Sequence, residues 1–300
     1  MTYTSLENQY QKYWIEVPKE WHENKIGIYH VSSIGCSSER LDPEDHSGPC
    51  LRETFYNYIN FIDYDDTSKG NFHQGRLMHK EAQRIYRINH PASIDEFPLG
   101  KKITMNGVEV LLLGSIDIVE FTEDGKLNII DFKSASNWTF PKTEDNKSPT
   151  HFNQVRIYAY WLQNFILNKK YQKIDKLKII YLGKHNLYTG EQEEEYNKTK
   201  CMEAWLDFIN RAIGLHFQFL GYNKSKSLDF LPNKEPHKWC KNCRYSQRCK
   251  DDKIFDENIK SYTLKEVEEI YRDKTGKSPK WKGEYSKKFI NFKSTFKVIG

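Results

Sequence analysis

The sequence predicts a mixed α/β domain, a central sheet flanked by helices. Short β-rich apolar runs alternate with longer segments whose apolar residues recur every three to four positions, as expected for strands interleaved with amphipathic helices. The 300-residue chain is 38% hydrophobic and 29% charged, a globular composition large enough to bury a core unaided. No apolar run approaches the roughly 18 residues a bilayer span requires. Six cysteines are too few for a disulfide framework.

The elements follow in order. Residues 1–30 are polar and aromatic, with Trp14 and Trp21 as packing anchors, and residues 36–50 read as a loop rich in Ser, Asp, Pro and Gly. The start MTYTSLENQYQKYW lacks the apolar core of a signal peptide, so a cytoplasmic, non-membrane protein is the expectation. From Leu51, the residues Leu51, Phe55, Tyr58 and Ile59 have helical spacing. Residues 75–90 form a second helical pattern with Leu77, Met78, Ala82 and Ile85 as its apolar stripe. The runs 109–121 and 126–135 read as strands, joined through Thr122-Glu123-Asp124-Gly125 into a hairpin. An amphipathic helix over 151–167, a strand over 176–183 and a long helix over 202–220 complete the order. Four regions result: an N-terminal segment (1–50), a core (51–232), a cysteine segment (233–250) and a basic aromatic extension (251–300).

Charge is uneven. Residues 233–300 hold 18 Lys and Arg against 10 Asp and Glu, while the other 232 residues hold 28 against 31. A basic C-terminal region suits a polyanion partner; a solvated lysine-rich surface is the plain alternative.

The chemistry gathers on the hairpin. Asp131 and Lys133 are i and i+2 on one strand and share a face, with Phe132 turned to the opposite layer. Asp117 on the neighbouring strand approaches Asp131. Both acids lie inside apolar runs, where an unpartnered charge is costly. Paired carboxylates suit Mg²⁺ or Mn²⁺, and a lysine beside them can orient or deprotonate a water and offset charge growing on phosphate. The plain alternative is ordinary strand-end ion pairs. His79 offers an imidazole ligand. Gln154 and Tyr158, at i and i+4, share a helix face and can position DNA or Lys133.

The order His79, Gly114-Ser115-Ile116-Asp117, Asp131-Phe132-Lys133, Gln154-x-x-x-Tyr158 resembles the RecB-like branch of the PD-(D/E)XK nucleases. The resemblance implies a restriction-endonuclease-like core in which His79, Asp117, Asp131 and the Phe132 carbonyl hold Mg²⁺ or Mn²⁺. Asp117, Asp131, Lys133, Gln154 and Tyr158 would form the catalytic set. Glu96 lies where many relatives carry a strand glutamate.

Cys240, Cys243 and Cys249 form C-x₂-C-x₅-C, a metal-binding spacing one ligand short of four. A zinc site completed by His237 is the local solution. A lone cysteine before an aromatic helix, with this triplet after the nuclease motifs, resembles the CRISPR-associated RecB-like exonucleases and the nuclease domain of AddAB-type helicase–nucleases. That resemblance implies a [4Fe–4S] cluster held by Cys50, Cys240, Cys243 and Cys249, joining the two ends of the chain. Cys36 rivals Cys50, and Cys201 reads as a buried small residue.

The C-terminal Trp281, Tyr285, Phe289, Phe292 and Phe296, interleaved with lysines, suit either single-strand stacking or ordinary packing. Thr275-Gly276-Lys277-Ser278 is not a phosphate loop, because Tyr271 stands where its first glycine belongs. Any helicase activity must therefore come from a partner. No G-x-S-x-G or H-E-x-x-H motif occurs. The expectation is a metal-dependent DNA nuclease, implied by the resemblance to be an exonuclease on single strands or ends. A helicase or CRISPR adaptation complex is the corresponding partner. A non-catalytic DNA-binding or scaffolding protein with the same cluster, or with zinc, is the alternative.

Overall fold

A computed structural model describes residues 26–35, 50–59, 62, 66–105, 107–135, 149–167, 173–184, 189–232 and 243–252, with isolated positions between 262 and 299. The chain opens with β1 (Ile28–His30) and a single helical turn, α1 (Val31–Ile34). Next come α2 (Leu51–Ile59), α3 (Asp66–Asn89) and three strands, β2 (Ile94–Met105), β3 (Val108–Phe121) and β4 (Leu127–Ala135). Then follow α4 (Pro149–Trp161, continued by a π turn over Leu162–Ile166), β5 (Ile174–Gly183), β6 (Thr189–Glu195), α5 (Lys198–Ser225) and α6 (Ser246–Asp251). Beyond α6 the described elements include two short strand pairs, Tyr262–Thr263 with Val298–Ile299 and Lys280–Trp281 with Glu284–Tyr285. Trp14, Trp21, Cys36, His237, Cys240 and the aromatic side chains of the extension lie outside the described residues.

The six strands form one mixed sheet. β2 runs antiparallel along β3 from Ile94↔Val119 to Met105↔Val108 and takes one whole edge. The other edge is shared: β1 pairs parallel with Leu111–Leu113, and β4 pairs antiparallel from Ile118↔Ile130 to Phe121↔Leu127. Between these pairings Gly114–Asp117 faces a gap, where the site lies. β5 follows parallel to β4 and β6 antiparallel to β5. The β3–β4 turn uses Gly125 at φ 80°, a left-handed conformation that favours glycine, and closes with Thr122 N donating to Lys126 O at 3.0 Å.

Helices cover both faces. α4 and α5 pack on one through a core that includes Val119, Ile129, Ile179, Val155, Trp161, Phe208 and Phe219. α3 covers the other, setting Met78, Ala82 and Tyr86 against Ile118, Ile130, Phe132 and Leu182. α3 begins at Asp66, nine residues before the sequence pattern, and its stripe is corrected: Leu77 (55% exposed) and Ile85 (47%) face outward. Three strands escape the sequence reading for physical reasons. β1 has only three residues. β2 contains Pro98, Gly100 and two lysines, tolerated because it is an edge strand. β6, TGEQEEE, is an acidic edge held by Lys178–Glu191 (3.1 Å) and Lys176–Glu193 (2.5 Å) ion pairs.

Candidate active site

The gap beside β3 gives each site residue its position. Asp117 is the last residue before the β3–β4 ladder begins, so its carboxylate takes over from the ladder: Phe132 N donates to Asp117 Oδ2 at 2.7 Å. Alternation then directs Asp131 and Lys133 to the α4 face and buries Phe132 against α3. Lys133 Nζ stands 2.8 Å from Asp131 Oδ2 and donates to Gln154 Oε1 at 2.9 Å. Gln154 Nε2 donates to the Tyr158 hydroxyl at 3.0 Å and to Asp131 Oδ1 at 3.5 Å. From the other layer His79 Nδ1 comes within 3.8 Å of Asp117 Oδ2.

Gly114 has a packing reason. A Cβ there would lie 2.8 Å from Tyr158 Cε1 and 3.4 Å from Val31 Cγ2, so the glycine makes room for the tyrosine ring. The separation of Gly114 and Asp117 therefore seats Tyr158 and presents the carboxylate from one stretch of strand.

Sequence reasoning gave Glu96 only as a counterpart of a strand glutamate, and two of its partners were missed. Glu96 has φ 48°, left-handed for a non-glycine residue inside a strand, a conformation that collects at functional sites. Gln83 Nε2 donates to its Oε1 at 2.8 Å and Ser115 Oγ to its Oε2 at 3.1 Å. Gln83 lies one turn after His79 and Ser115 lies inside the Gly114–Asp117 motif. Those neighbourhoods were the available signal.

The electrostatics are those of two acids that need a cation. Burial, then the charge of Asp131, holds the Asp117 carboxyl well above the ordinary carboxylate range; Lys133 and the Phe132 N–H pull it back. Burial lowers the His79 pKa, with Lys133 acting in the same direction, and keeps the imidazole available as a neutral ligand. Burial also raises the Tyr158 pKa, so its hydroxyl stays protonated. Asp131 is 2% exposed, and its Oδ2 receives no aligned hydrogen bond despite the nearby ammonium. Among the described residues no three His, Cys, Asp or Glu side chains are gathered closely enough to hold a metal ion as they stand. The donor set nevertheless suits a hard divalent cation: two adjoining acids, one with an unbonded buried oxygen, and a neutral imidazole beside them.

The cysteine region lies where α2 meets α6. Cys50 precedes α2, while Cys243 and Cys249 flank and enter α6. Arg52, 1% exposed, donates from Nε to Pro232 O at 2.8 Å and from Nη1 to Cys249 Sγ at 3.9 Å. Tyr245 and Arg244 bond Asn57 of α2, and Tyr56 donates to Asp252 Oδ2 at 2.5 Å. Cys201 is fully buried. Of these cysteines Cys249 meets the buried Arg52 guanidinium, and among the described residues no three cysteines are gathered closely enough to hold a metal centre as they stand.

Among the described residues no helix is long and apolar enough to cross a membrane. A family model described as the PD-(D/E)XK nuclease superfamily matches residues 75–250. Comparison with curated proteins finds no match. Among solved structures, SSO0001 is 16% identical over 81% of this chain and 93% of its own, with a TM-score of 0.42. LHK-Exo in complex with dAMP is 12% identical over 70% of this chain and 99% of its own, with a TM-score of 0.41. A phage-related exonuclease from Haemophilus somnus 129PT is 13% identical over 58% and 82%, with a TM-score of 0.37.

Proposed function

Because the chain belongs to the PD-(D/E)XK nuclease superfamily, we propose that it is a Mg²⁺- or Mn²⁺-dependent DNA nuclease of the RecB-like branch, acting as an exonuclease on single strands or ends. The observation that carries this reading is the hydrogen-bonded network at the gap in the sheet, Asp131–Lys133–Gln154–Tyr158, with Asp117 bonded to Phe132 N beside it.

His79, Asp117, Asp131 and the Phe132 carbonyl would hold the cation. When bound, it supplies Lewis-acid polarisation of the phosphate and a water acidic enough to attack. Lys133 orients that water and offsets the charge that grows on the phosphate oxygens. Gln154 fixes the ammonium by accepting its proton contact at 2.9 Å. Tyr158, packed over Gly114, fixes Gln154 in turn. Asp117 takes its place from a main-chain N–H, so its position follows the strand rather than a mobile side chain.

Cys50, Cys240, Cys243 and Cys249 would hold a structural [4Fe–4S] cluster. The docking of 243–252 on α2 supports a role in fastening the chain ends around a core spanning 51–232, with the basic extension after it. Iron and acid-labile sulfide in protein purified without oxygen test this; zinc with Cys50→Ala harmless overturns it. A helicase or CRISPR adaptation partner is the corresponding assembly.

The test of the activity is degradation of end-labelled single-stranded DNA with Mn²⁺. Wild type is expected to cut and Lys133→Ala to lose at least about 100-fold. Equal cutting by both would move the chemistry elsewhere. No cutting by either, with the metal centres loaded, would favour the DNA-binding scaffold.

A further inference from the structure

The network around Lys133 continues past the catalytic set. Tyr181 is the β5 register partner of Lys133, so the two side chains leave adjacent strands on the same face. His151, one turn before Gln154 on α4, lies with Gln154 and Tyr158 on one helix face at i, i+3 and i+7. Its Nδ1 is 3.0 Å from the Tyr181 hydroxyl, and the rings are 5.6 Å apart. Tyr181 is 2% exposed, whereas His151 is only half-buried.

We propose that His151, held by Tyr181, is a phosphate-contacting subsite that grips the DNA strand next to the scissile position. This rests on the nuclease reading above. The proposed catalytic set has a deficit that the pair would fill. Asp117 and Asp131 set two acids beside one ammonium, and that ammonium is committed to Asp131 and Gln154. A polyanion approaching such a site needs further donors beside it. Burial, then the charge of Asp131, raises the Tyr181 pKa and keeps the phenol protonated. A phenol donating to Nδ1 places the proton of a neutral imidazole on Nε2, making that nitrogen a donor toward a phosphate oxygen. The pair lies on the Lys133 flank, away from His79, so it would meet a neighbouring phosphate of the same strand.

The test is a cycle between protein and substrate. Single-stranded oligonucleotides carrying one neutral methylphosphonate, moved stepwise along the strand, are compared in wild type, His151→Ala and Tyr181→Phe. At one position beside the cut, the methylphosphonate should cost wild type about tenfold in kcat/KM and cost His151→Ala little, because the partner is already gone. Tyr181→Phe should show an intermediate coupling, and His151→Gln, which keeps a donor, should recover part of it. Losses that multiply independently at every position would overturn the proposal, since a merely structural histidine has no preferred phosphate. The same cycle measured by fluorescence anisotropy in EDTA reads binding without chemistry. A wild type that binds but never cuts therefore sinks the catalytic reading, while the subsite stands or falls on the binding cycle. Loss of folding in His151→Ala, seen as a lost thermal transition, transfers the decision to Tyr181→Phe and His151→Gln.

Discussion

At the scale of single residues, Asp117 and Gly114 carry opposite constraints on one four-residue stretch of β3. The raised Asp117 pKa means that the metal-free fold keeps a proton there which the unfolded chain releases near pH 4. Its sign is therefore destabilising: stability falls as pH rises from about 4 through the raised folded value. Asp117→Asn, which can still accept from Phe132 N, should remove that slope. It is expected to stabilise the metal-free protein by about 1–3 kcal/mol at neutral pH while abolishing cleavage, as read by urea denaturation across pH in EDTA. Gly114→Ala acts through packing. With 2.8 Å to Tyr158 Cε1, the ring must move, and Gln154 loses its support. A cost of about 1–3 kcal/mol is expected with a drop in kcat rather than KM; unchanged kinetics would detach Tyr158 from the chemistry. The two acids and the lysine were legible from strand spacing inside apolar runs, and Gln154 and Tyr158 from their i, i+4 spacing on a helix. The partners of Glu96 were not, because its left-handed φ is a backbone event with no residue signature outside glycine.

At the scale of elements, the hairpin and the long helices were legible from apolar periodicity, and the edge strands were not. β2 and β6 spend their sequence on being edges, with Pro98 and lysines in one and glutamates in the other, so they carry little alternation. On α3 the exposed Leu77 and Ile85 mimic a stripe that belongs to Met78, Ala82 and Tyr86. What holds α4 in register is a polar contact invisible to periodicity: Arg156 grips Glu194 of β6 with two bonds of 2.6 and 2.5 Å and bonds Asn153 at 3.0 Å. Both partners are largely buried, and removing one strands the other's charge. Glu194→Ala is expected to cost about 3 kcal/mol in urea denaturation. Since α4 bears Gln154 and Tyr158, activity should fall as well. Arg156→Met with Glu194→Met should recover most of the stability, which would separate a buried unpaired charge from loss of the contact itself.

At the scale of the whole molecule, motifs far apart in the chain meet because one long strand, β3, is shared by three neighbours. The order of the motifs could be read in the sequence. That β1 and β4 divide one edge of β3 could not, because a three-residue strand has no pattern of its own. With β1 and β4 leaving Gly114–Asp117 between them, the sheet has a notch through its thickness. His79 enters it from the α3 layer, and Lys133 and Gln154 enter from the α4 layer. The two layers belong to separate hydrophobic clusters and meet there through ionic and hydrogen-bonding groups. A cation bound at the notch would therefore act as a clasp across a seam. Manganese should slow amide exchange in α3 around His79 as strongly as in β4, and even in the inactive Lys133→Ala protein. Protection confined to the β3–β4 hairpin would show that His79 takes no part. If the clasp holds, the same ion that enables the cut also decides how firmly the two halves of the domain are joined, and loss of metal would loosen the molecule along a line rather than at a point.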